Sequence, residues 1–152
     1  MRESLTPSST SDDQTHQHIH SRAAFAGIVL SLATLPIHLL LDPQRSVEIS
    51  AVVVAMIGAI YIGFALQKGT VRQIAVEALV AACFFAAALA GLWWNPWVIP
   101  LAYVAHGLWD SYHHVRSRGL VAIPRWYPPF CAAFDWIYAA GLTILWLTIT
   151  PL

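Results

Sequence analysis

Ala105-His106-Gly107-Leu108-Trp109-Asp110-Ser111-Tyr112-His113-His114 puts three histidines and a carboxylate into a stretch that otherwise reads as a lipid-buried helix. Ionisable side chains inside a spanning segment are costly, so they face a bundle interior or a cavity and mark a functional site by default. On a helix turning about 100° per residue, His106, Asp110 and His113 fall within roughly 60° of one another, with His114 just beside them. That face has the character of a ligand set.

The rest of the chain supports the membrane reading. Of its 152 residues 58% are hydrophobic and 11% charged, and the mean hydropathy is +0.62, far from the balance of a soluble domain. The net charge is zero with neutral histidines, so nothing points to a nucleic-acid partner; the expected partner is the lipid bilayer. Cys83 and Cys131 both lie in apolar segments, which argues against a disulfide framework.

Five stretches are long enough for about 30 Å of hydrocarbon: residues 23–41, 48–66, 74–94, 97–115 and 129–149. They predict an all-α fold, an integral membrane bundle of five transmembrane helices occupying residues 23–152. Residues 1–22 are polar, without apolar periodicity, and read as a disordered tail. Its His16, His18 and His20 alternate in a way that suits weak transition-metal binding. The first apolar stretch is too long for a signal-peptide core and is expected to be a retained helix.

With five spans, Arg2, Arg22, Lys68, Arg72, Arg116, Arg118 and Arg125 lie on one side and Arg45 on the other. The positive-inside rule then puts the amino terminus in the cytoplasm and the carboxyl terminus outside, the expected location being a bacterial cytoplasmic (inner) membrane. Pro36 and Pro100 are expected to bend helices one and four. Ala55, Ala59 and Gly63 form a small-residue stripe suited to close helix packing.

Depth, at 1.5 Å per residue, gathers the remaining polar groups. Glu77 sits about 7 Å, Asp135 about 10 Å, and His113, Asp110 and His106 about 3, 8 and 14 Å from the cytoplasmic ends of their helices. Tyr61 reaches the same level, and Cys131 lies one turn before Asp135 on the same face. This set offers two chemistries. Imidazole and carboxylate ligands from His106, Asp110, His113 and His114 suit zinc or iron, with further carboxylates as support; without metal, Glu77, Asp110 and Asp135 become acids or bases beside histidines. Both fit an enzyme acting on a lipid-like substrate. A metal-ion or proton transporter or sensor, and a structural protein whose polar groups only lock helices together, are the alternatives. Interhelical glue returns about 1 kcal/mol or less per bond, against about 2.5–3.5 kcal/mol for a charge at a helix centre. Near the other end, His38, Asp42 and Glu48 form a smaller group, in which Asp42 and Glu48 are expected to face water or cap helix two, with His38 pairing to either.

The string from Ala105 to His114, followed by Arg125-Trp126-Tyr127-Pro128-Pro129-Phe130-Cys131 and Asp135, resembles a group of small bacterial multi-helix membrane proteins of unknown function. The likeness covers most of the chain after residue 45 and implies no activity. Asp110-x-x-His113-His114 also resembles one histidine box of the membrane fatty acid hydroxylases and desaturases, which use a diiron centre. Those enzymes carry several boxes, so a diiron set here would have to draw on Glu77 and Asp135. The emopamil-binding type of sterol isomerase is similar in being a five-helix-sized bundle with buried acids and histidines.

Overall fold

A computed structural model describes residues 9–115 and 119–148, with side chains from residue 18 onward. Arg2, Arg116, Arg118 and the end of the last span at residue 149 lie outside the described residues, as does the side chain of His16. The described residues form α1 (Ser9–Thr34), a 3-10 segment (Leu35–Leu40), α2 (Pro43–Lys68), α3 (Val71–Trp93), α4 (Val98–Val115) and α5 (Tyr127–Thr148). α1 starts at Ser9, so residues 9–22, which composition alone reads as a disordered tail, are helical. Once the apolar half has nucleated a helix, extending it through polar residues costs little.

Local chemistry sets the ends. Pro36 has no N–H to continue the ladder of α1, and the chain tightens to 3-10 geometry beside it. Asp42 caps α2, its carboxylate accepting from the Arg45 N–H at 3.0 Å, with Pro43 in the first helical position. Thr70 and Gln73 form a reciprocal capping box on α3. Pro100 does not bend α4: it lies in the first turn, where its missing N–H would have had no helical partner.

α1 packs chiefly on α5, α5 on α4 and α2 on α3, while α4 also lies against both α2 and α3. Gly27 allows the tightest approach, since a Cβ there would strike the backbone carbonyl of Phe130. The Ala55–Ala59–Gly63 stripe does not serve this purpose, and Gly63 has open space around it. α2 instead turns inward the face bearing Ser46, Ser50, Val54, Gly58, Tyr61 and Ala65, and Phe84 of α3 fills the room left at Gly58.

Four helical segments, His18–Leu40, Pro43–Lys68, Val71–Trp93 and Tyr127–Thr148, are long and apolar enough to cross a membrane. α4 has the length, 18 residues, but its four polar ring and carboxyl side chains lower its hydropathy. The outer surface is apolar, with Leu40 86% and Trp94 83% exposed. Patches of this extent are unusual on a soluble monomer.

Candidate functional site

Each inner helix contributes one polar stripe. α4 buries Tyr103, His106, Asp110 and His113 at three- and four-residue spacing, and α5 buries Tyr127, Cys131, Asp135 and Tyr138. α2 adds Tyr61 and α3 adds Glu77. The acids and histidines that sequence depth assigned to one level do meet, as two adjoining groups.

In the first group, His106 Nδ1 lies 2.7 Å from Asp135 Oδ2 and 3.2 Å from Asp110 Oδ2. Tyr61 donates its hydroxyl to the other Asp110 oxygen. Cys131 Sγ is 3.9 Å from Asp135 Oδ2 and 3.7 Å from the Tyr127 hydroxyl. One donor atom each from His106, Asp110, Cys131 and Asp135 lies within 4.8 Å of the others, and all four residues are buried. Donors around a tetrahedral ion with bonds of about 2.0–2.3 Å would stand about 3.3–3.8 Å apart, close to the distances found here. The two carboxylates and a Cys131 thiolate would together carry one negative charge more than a divalent cation neutralises.

In the second group, His113 Nε2 lies 3.1 Å from Glu77 Oε1, and its Nδ1 3.3 Å from the Trp109 carbonyl. A carbonyl only accepts, so Nδ1 carries hydrogen. Nε2 then either donates a second proton to the Glu77 carboxylate or accepts one from its acid form; a proton sits between them in both cases. The Tyr61 ring joins the groups, its centroid 4.5 Å from that of His113 and 6.0 Å from that of His106.

His106 Nε2, Asp110 Oδ2, Asp135 Oδ1, Glu77 Oε2 and Trp109 Nε1 are buried without a hydrogen-bond partner. Asp110 Oδ2 approaches His106 Nδ1 closely enough for an ion pair but lies off the hydrogen-bond direction. An unmatched buried polar atom costs about 1–3 kcal/mol, more if charged. This concentration at one place is unlike ordinary packing, in which nearly all buried polar atoms are paired.

Of the predicted metal residues, His106, Asp110 and His113 face inward, whereas His114 is exposed and meets His20 of α1 edge to face, with centroids 4.7 Å apart. Cys83 is also exposed. Tyr127 was missed by sequence reasoning, although its place four residues before Cys131 put it on the Cys131–Asp135 stripe.

At the opposite end, His38 bonds neither Asp42 nor Glu48. Its Nδ1 lies 2.7 Å from Ser46 Oγ and its Nε2 2.6 Å from the Tyr138 hydroxyl. Trp146 Nε1 donates to the same Ser46 oxygen at 2.8 Å. Asp42 caps α2 and pairs with Arg45, and Glu48 accepts from Gln44 at the surface.

No curated protein and no solved structure matches the chain. A family match spans residues 22–147, from the apolar half of α1 to the end of α5, and so includes every member of both buried groups: the chain belongs to the family described as Family of unknown function (DUF6010).

Proposed function

We propose that this is a five-span membrane protein that binds one divalent transition-metal ion, zinc or iron(II), through His106, Asp110, Cys131 and Asp135. The observation that carries the reading is the four-donor cluster: buried, drawn from α4 and α5, and retaining unpaired carboxylate oxygens. Four protein donors fill a tetrahedral shell without leaving a position for substrate, the pattern of an ion held or passed on rather than of a metal that turns over a lipid. This favours ion handling over the lipid-enzyme reading. Tyr61, through Asp110, orients a ligand; Glu77 and His113 lie outside the donor set.

α4 counts as the fifth span. Its 18 residues extend about 27 Å at 1.5 Å each, and its polar face is covered by the neighbouring helices rather than by lipid. Arg22, Lys68, Arg72 and Arg125 then lie at one end and Arg45 at the other, which supports a cytoplasmic amino terminus and a bacterial inner-membrane location.

Metal analysis of detergent-purified protein tests the ligand set. Wild type should hold about one equivalent of zinc or iron, His106→Ala none, and His113→Ala the wild-type amount. Wild type without bound metal, and without added thermal stability when zinc or iron(II) is supplied, would overturn the proposal.

A second, metal-free reading is favoured by the buried pairs Glu77–His113, Tyr61–Asp110 and His106–Asp135, each a carboxyl group beside an imidazole or a phenol that can take up and release a proton. It predicts proton flux in proteoliposomes that is lost in Asp110→Asn, and unchanged flux in that variant would remove it.

A further inference from the structure

A cavity of about 480 Å³ opens beside His113, bordered by Val121, Ala122 and Ile123 ahead of α5. Among the described residues its ionisable lining is entirely basic: His20 from α1, His113 and His114 from α4, and Arg125. His20 Nδ1 is buried without a hydrogen-bond partner. His114 and Pro128 also line a second space, a cleft of about 370 Å³ whose walls include Ala24 of α1 and Ala132, Ala133 and Trp136 of α5. A basic chamber and an apolar cleft thus meet at one histidine.

These adjoining compartments have the two-part chemistry of an amphiphile. Imidazole N–H groups and a guanidinium match the oxygens of a phosphate. A hydrocarbon chain suits alanine, proline and indole walls. Among the described residues, the acids that would suit a divalent cation lie deeper in the bundle. We propose that the chamber and cleft together bind a lipid with an anionic phosphate headgroup, the phosphate among His20, His114 and Arg125 and the chain against Ala133 and Trp136. Occupancy of this site does not depend on a metal in the buried centre.

The test uses the full chain in detergent micelles, with brominated-chain phosphatidic acid as probe and tryptophan quenching as readout. Phosphatidic acid should quench saturably, and brominated phosphatidylcholine should need at least about tenfold more to do so. His114→Gln with Arg125→Gln should weaken phosphatidic acid binding by about tenfold or more, the scale of lost charge-assisted hydrogen bonds. Trp136→Phe, which takes the indole out of the cleft wall, should remove the part of the quenching that saturates with phosphatidic acid. Should the double variant fail to fold, Ala133→Leu, which narrows the cleft without touching the basic chamber, should weaken lipid binding alone. Equal affinity for the two lipids, or unaltered affinity in the folded double variant or in Ala133→Leu, would overturn the proposal. Inorganic phosphate binding as tightly as phosphatidic acid would also overturn it, by assigning the chamber to soluble phosphates.

Discussion

Two of the buried histidines, His38 and His106, occupy opposite halves of the bundle and are treated in opposite ways. Both ring nitrogens of His38 have neutral partners, and the Ser46 hydroxyl also accepts from Trp146. Around His106 there are two carboxylates, a thiol, one well-formed hydrogen bond from the ring, and several buried atoms with none. A network of neutral, mutually satisfied groups fixes helices in register. A cluster of charges that its own neighbours do not satisfy lowers stability, and such a cost is characteristic of a functional site.

The largest expected effect separates the two halves by metal content. Asp110→Asn combined with Asp135→Asn should lower bound zinc or iron from about one equivalent to none, whereas His38→Ala should leave it intact; loss of metal in His38→Ala alone would reverse the assignment. Next in size is stability. His38→Ala opens a cavity and strands Ser46 and Tyr138, so it should cost about 3 kcal/mol, read from reversible unfolding in mixed micelles. A smaller effect of opposite sign is expected for Asp135→Asn in metal-stripped protein, which keeps an acceptor for His106 but removes one of two buried carboxylates crowded on the same imidazole, and should gain about 1–2 kcal/mol; a loss of similar size would mean that the inner cluster is as structural as the outer one. Of similar size is Trp146→Phe, which deletes the hydrogen bond to Ser46 and leaves a void in the core, and should cost about 2 kcal/mol without altering metal content.

The same contrast governs what could be read from the sequence. His106, Asp110 and Asp135 stand out because a carboxylate or imidazole in an apolar run has few innocent explanations, and helical spacing puts the first two on one stripe. The partners of His38 are Ser46, Tyr138 and Trp146, residues amphipathic enough to pass as packing in any hydropathy pattern, so the nearer acids Asp42 and Glu48 drew the attention. His114 follows His113 directly and therefore points about 100° away, far enough to leave the core and meet His20. That neighbour was hidden because composition cannot foresee how far α1 extends into a polar segment. α2 to α5 are legible to within a few residues, except that hydropathy alone starts α2 at Glu48 and α3 at Ile74, whereas the Asp42 and Thr70 caps begin them earlier.

α5 supplies Asp135 to one histidine and Tyr138 and Trp146 to the network of the other, and it is the principal neighbour of α1. Among the described helices it is also the last to leave the ribosome. During biosynthesis α1 must therefore wait without its main contact, and both imidazoles without their α5 partners, until α5 has been made. A nascent chain stopped before Tyr127 would present the quality-control machinery with two unmatched polar surfaces, which makes the arrival of α5 the step that commits the polypeptide to its mature form.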